Sequence, residues 1–182
     1  MTVPKQTATM TSEWDIFQHL FKRQEIPAKT TLLEEGKISR TMFFIEKGCL
    51  RTWVNNNGRE ITTQFFFEGD KVSSIESFRS SQPSLYNIES IEPCILQTIS
   101  KKDFQHILEQ SPEIEKELQE HLFRRLMQSQ KIFFSFLKNT PQQRYQELIQ
   151  EHPKISQRVP QHYISSYLEI TSVSLSRIRN RR

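Results

Sequence analysis

The chain has 182 residues, 35% hydrophobic and 25% charged, with a formal net charge of +4, an ordinary globular composition that excludes a fibrous or compositionally disordered protein. No run approaches the roughly 18 apolar residues that span a bilayer. The N-terminus MTVPKQTATMTSEWD lacks the basic and apolar regions of a secretion signal, so the sequence predicts a cytoplasmic protein with no membrane partner.

Residues 1–12 read as an N-terminal tail. From about Ile26 to Ser100 short β-rich runs alternate with the chain's four glycines, Gly36, Gly48, Gly58 and Gly69. The runs are Thr31–Leu33, Thr41–Glu46, Cys49–Val54, Glu60–Phe67, Leu85–Ser90 and Cys94–Ser100, and their alternation predicts an antiparallel barrel or roll. Asn56-Asn57-Gly58 between two of them is a hairpin signal. The two cysteines, Cys49 and Cys94, stand far apart in apolar runs without metal-ligand spacing, which reads as two small buried hydrophobes.

After Ser100 the period becomes helical. Ser111-Pro112 caps the start of a long helix to about Lys138, along which Ile114, Leu118, Leu122, Leu126, Ser129, Phe133 and Leu137 form one stripe. A helix of about 39 Å outruns a small β domain, so the stripe predicts a dimer helix. Thr140-Pro141 starts another helix, which Pro153 ends, and two more follow from Pro160. The fold class is therefore α+β, with an effector domain over 13–110, a dimerisation helix over 111–138 and a helical domain over 139–182.

Five arginines against one acid, Glu169, fill Arg158–Arg182, so this segment's charge equals that of the whole chain. It reads as helix, tight turn, helix: Ile164, Tyr167, Leu168 and Ile170 supply an apolar interface, Ser165 and Ser166 allow close approach, and Leu175 and Ile178 point inward. Thr171 caps the second helix. The residues left for double-stranded DNA are Thr171, Ser172, Ser174, Ser176, Arg177, Arg179 and Arg181, hydroxyls for phosphate and sugar and guanidinium groups for guanine edges. Two residues depart from that use: Glu169, an acid at a turn position often held by glycine, and Val173. No nucleophile elbow, P-loop, zinc-protease motif or dinucleotide fingerprint is present, so the chain is not read as an enzyme.

With these residues in place the chain resembles the Crp/Fnr family of bacterial transcription regulators. The likeness rests on Leu32–Trp53, the Asn57–Thr62 hairpin, Phe66–Val72, Cys94–Leu108 and Tyr163–Arg179, in that order and spacing. It implies a cyclic-nucleotide-binding-like roll joined to a dimer helix and a DNA-binding helix-turn-helix, with a second copy of the chain, DNA and RNA polymerase as partners. It also implies that Ser176 and Arg177 face DNA, and that Val173 replaces a base-reading glutamate of many members. The family's phosphate-binding loop has a Gly-Glu-Leu segment and a later arginine. Here Ser73-Ser74-Ile75 and Ser84-Leu85 stand in those places, which argues against cAMP or cGMP as ligand. Ser73, Ser74, Glu76, Ser84 and Tyr86 then line a pocket for an unknown small-molecule effector, or one filled by its own side chains; no cofactor is implied. The alternative is a ligand-sensing or protein-interacting roll whose last helices no longer bind DNA specifically.

Overall fold

The computed structural model describes residues 12–180; the tail before them and Arg181 and Arg182 lie outside the described residues. Eight strands form the β region: β1 Lys22–Ile26, β2 Thr31–Leu33, β3 Thr41–Lys47, β4 Leu50–Asn56, β5 Arg59–Phe66, β6 Lys71–Val72, β7 Asn87–Ser90 and β8 Cys94–Ser100. Helix α1, Ser12–Ile16, precedes them, and α2, Ile75–Ser80, lies between β6 and β7. After β8 come α3 Lys101–Gln110, α4 Pro112–Lys138, α5 Pro141–Glu151, α6 Ile155–Arg158, α7 Gln161–Tyr167 and α8 Ser172–Asn180.

The strands make two four-stranded sheets, ordered β1-β8-β3-β6 and β2-β7-β4-β5, a roll of the predicted antiparallel kind. Alternation along β3 explains how one strand serves two cores. Phe43 and Ile45 join Leu33, Leu50, Phe66, Val72, Ile88, Cys94 and Leu96 in one apolar cluster. Met42 and Phe44 instead join Trp14, Phe78, Ile99, Phe104, Ile107 and Ile114, a cluster roofed by α1 to α3 and the start of α4. Trp14 anchors the second cluster: its ring meets Phe44 edge-on at 5.6 Å, and its indole N–H donates to Glu117 at 2.9 Å. Glu117 also accepts from Lys71 Nζ at 2.7 Å, so the ion pair closes over the aromatic group.

Asn57 and Gly58 both have positive φ, +52° and +85°, the requirement of a two-residue type I′ hairpin, and they join β4 to β5 as expected. Gly48 is obligatory for a different reason. A Cβ there would sit 2.5 Å from Cys94 Sγ and 2.9 Å from two backbone atoms, Cys94 Cα and Pro93 O, which can yield only by moving the chain that leads into β8. Both cysteines are buried and unbridged.

The structure corrects the sequence-based elements in several places, α1 among them. It adds β1, β6, α2 and α6, and it starts β7 at Asn87 rather than Leu85. β1 escapes the alternation rule because four of its five residues are exposed on an edge strand. Glu76 lies in the first turn of α2.

Two compact units divide the chain. Among the described residues, one holds those up to Val54 and Gln64–Leu118; the other holds the hairpin tip Asn55–Thr63 and those from Gln119 onward. In the second unit α4 continues without a break, and Phe123, Leu126, Met127, Phe133, Phe134 and Leu137 on it are between 40% and 66% exposed. No helix among the described residues is long and apolar enough to cross a membrane.

Candidate functional site

The basic C-terminal segment begins where α7 follows Pro160. Tyr163, Ile164 and Leu168 are buried, and Leu175 from α8 closes the same small core at 0% exposure. Tyr163 was missed by the sequence reading, while Tyr167, Ile170 and Ile178 are only half-buried. Ser165 does lie close to α8: it is buried, and its Oγ is 3.3 Å from Ser172 Oγ. Ser166 turns elsewhere, accepting from Thr62 N–H at 2.9 Å and donating to Glu60 C=O at 2.7 Å, so it binds the hairpin tip rather than α8.

The turn has an identifiable geometry. Glu169 N–H donates to Ser166 C=O at 3.1 Å and Ile170 N–H to Ser165 C=O at 3.0 Å, the paired bonds of a Schellman motif, with Glu169 at φ +54°. That conformation costs an L-residue roughly 1–2 kcal/mol, which is why glycine is usual at such a position. Thr171 then caps α8, its Oγ1 accepting from Ser174 N–H at 3.1 Å and lying 3.0 Å from Ser174 Oγ.

These bonds sort the candidate DNA contacts. Thr171 and Ser174 hydroxyls are turned toward one another, and Ser172 lies beside Ser165. Ser176, Arg177 and Arg179 are exposed on α8. Ser172 with Ser176, and Val173 with Arg177, are each four residues apart and therefore share a face. Arg181 lies outside the described residues.

Arg144 on α5, which the sequence reading did not single out, fixes this turn from behind. Its Nη2 donates to Leu168 C=O at 2.8 Å and its Nη1 to Asn139 C=O at 3.1 Å, while its guanidinium lies 4.5 Å from the Phe136 ring centre. One arginine thus ties the end of α4 to the carbonyl that ends α7. Beside it is a cavity of about 230 Å³ between α4, α5 and α7, lined in part by Glu147, Glu151 and Tyr167. Burial, reinforced by Glu151 and Glu147, pushes the Tyr167 phenol up to about 12. No local motif announces Arg144, because its acceptors lie 5 and 24 residues away in sequence.

The roll residues come together differently. Ser73, Ser74 and Ser84 are all buried. Ser73 Oγ is 2.9 Å from Ser39 Oγ and 3.1 Å from Thr41 C=O, and the Tyr86 hydroxyl donates to Ser73 C=O at 3.2 Å. Ser84 Oγ donates to Tyr86 C=O at 2.7 Å, and Ser39 N–H donates to Ser77 Oγ at 2.9 Å. The hydroxyls of Ser73 and Ser84 are thus spent inside the protein, and Glu76 is exposed on α2. Where a cyclic phosphate would need a cation, the chain has Ser84 and the 69%-exposed Leu85. The buried arginine of the roll, Arg51, is paired with Glu89 at 2.7 Å. These residues do not fit a cyclic phosphate.

Residues 23–111 match the family described as cyclic nucleotide-binding domain. The chain is 26% identical over 128 residues to the cAMP-activated global transcriptional regulator CRP of Salmonella typhimurium, an alignment that covers 69% of this chain and spans 60% of that relative's length. Among solved structures it resembles the c-di-GMP responsive global regulator CLP of Xanthomonas campestris, with a TM-score of 0.75 at 16% identity, covering 91% of this chain and 88% of that one. FixK2 of Bradyrhizobium japonicum matches with a TM-score of 0.76 at 13% identity, covering 87% and 82%.

Proposed function

We propose that the protein, whose residues 23–111 match the cyclic nucleotide-binding domain family and whose fold resembles that of a global regulator along most of its length, is a cytoplasmic, homodimeric transcription regulator that binds double-stranded DNA through α7 and α8. One observation carries the reading: a Schellman turn and a Thr171 cap hold α8 so that Ser176, Arg177 and Arg179 stand outward on the chain's most basic segment. Such a helix suits the major groove, with basic groups for phosphate and Arg177 for a guanine edge. In domain terms the effector part is 13–110, the dimer helix 111–138 and the DNA-binding part 139–182.

The partner of α4 is a second copy of the chain. Six large apolar side chains exposed within Phe123–Leu137, at spacings of three, four and seven, suit a self-complementary helix seam. Two paired α8 helices then read half-sites about one DNA turn, 34–36 Å, apart. RNA polymerase is a further partner on the strength of the resemblance. The loop does not suit cAMP or cGMP, since the Ser73 and Ser84 hydroxyls are bonded internally and bring no cation, and the pocket holds an unknown small molecule or is filled by its own side chains. Chemistry in the catalytic sense is not part of the reading.

Selection of bound fragments from a random DNA library by the purified full chain, with and without small-molecule extracts of cells, tests it. Enrichment of one pseudo-palindrome is expected. Absence of any enriched sequence under every condition would overturn the reading in favour of a sensing or protein-binding roll without specific DNA recognition.

A further inference from the structure

Val173 is out of character with its surroundings. On α8 the inward positions are already filled, Leu175 fully and Ile178 in part, yet Val173 is 62% exposed between Ser172 and Ser174. It sits in the first turn of the helix, four residues before Arg177 and on the same face. An exposed isopropyl group gains nothing in water, and on this face it would strip water from whatever polar group it met without replacing the hydrogen bond.

The major groove offers such a side chain one suitable partner. Guanine, cytosine and adenine edges present donors and acceptors, whereas thymine alone presents an apolar 5-methyl group. We propose that Val173 selects thymine by packing on that methyl, an inference that rests on the DNA-binding reading above. Four residues of helix advance about 6 Å, and base pairs are spaced about 3.4 Å apart. The selected thymine therefore lies one to two base pairs from the pair that Arg177 contacts.

The test uses the sequence that the full chain enriches from a random library. Each thymine of it is replaced in turn by uracil, which lacks only the methyl. At one position in each half-site, uracil should weaken binding roughly fourfold, and about fifteenfold when both half-sites are changed. Val173→Ser, on an exposed position, should bind the thymine and uracil sites within twofold of each other while leaving loss at the Arg177 position intact. Uracil without effect at every thymine, or an unchanged thymine-to-uracil ratio in Val173→Ser, overturns the inference alone. A library that yields no enriched sequence overturns the DNA-binding reading first and this inference with it.

Discussion

Glu169 combines two properties that substitution can separate: a strained backbone and a negative charge on a surface assigned to DNA. At φ +54° an L-residue is held about 1–2 kcal/mol above its preferred conformation. Glycine removes that strain but adds unfolded-chain entropy of roughly 0.5–1 kcal/mol, so Glu169→Gly should stabilise the turn by about 0.5–1 kcal/mol. Glu169 is exposed, so no packing is lost. The unit containing the turn should melt about 2–8 °C higher by calorimetry, with its urea midpoint raised and its m-value unchanged. Glu169→Gln keeps the strain and removes the charge, so its stability should match the parent while DNA affinity rises at low salt, a gain that fades as salt screens the charge. Fluorescence anisotropy on one DNA at several salt concentrations reads the second effect. If Glu169→Gly melts no higher than Glu169→Gln, the left-handed Schellman position is not where the strain lies, and the assignment of the turn is wrong.

Arg177→Ala should cost roughly 1–3 kcal/mol on the enriched DNA and far less on random DNA, measured by competition binding; an equal loss on both makes Arg177 a phosphate contact. cAMP or cGMP at 1 mM should leave the melting temperature unchanged, where a ligand bound with a Kd of 10 μM would add about 2.7 kcal/mol; an upward shift would overturn the reading of the serine-filled loop. Arg51→Ala should destabilise the roll by about 3–5 kcal/mol in urea, since it leaves Glu89, only 13% exposed, without its ion pair, and Arg51→Met with Glu89→Leu should recover most of it. For Tyr167 the folded value of about 12 lies above the unfolded value of about 10, so the fold favours the neutral phenol. Stability is unaffected below pH 10 and falls between pH 10 and about 12, and Tyr167→Phe should flatten that fall in alkaline unfolding curves.

What could be seen in the sequence follows a physical division. Asn57-Gly58, Ser111-Pro112 and Thr140-Pro141 are local instructions: each residue type is chosen for a backbone state or a cap formed within three or four residues, and each appears where expected. The period of two in β3 and the period of three and four in α4 are local in the same sense. β1 and α2 left no such mark, one because an exposed edge strand has no buried face to alternate with, the other because six residues are fewer than two helical turns. The site residues divide likewise. Thr171 was legible as a cap because its partner is Ser174. That Ser73 bonds Ser39 and Ser84 bonds the Tyr86 carbonyl depends on which way a hydroxyl turns in a folded loop, and Arg144 depends on acceptors in two other elements.

The roll and α8 meet opposite electrostatic demands with the same residue type. In the roll, buried serines spend their hydroxyls on each other and on nearby carbonyls, and each such bond contributes about 0.5–1.5 kcal/mol that an incoming phosphate would have to replace without a cation to hold it. On α8, serines flank arginines in water, where a phosphate replaces only solvent. In the proposed complex, charge there supplies affinity for any DNA, since every sequence carries the same phosphates. Choice among sequences has to come from groups that differ in what they accept: a guanidinium fork at Arg177, and an isopropyl group at Val173 that has nothing to offer a polar edge.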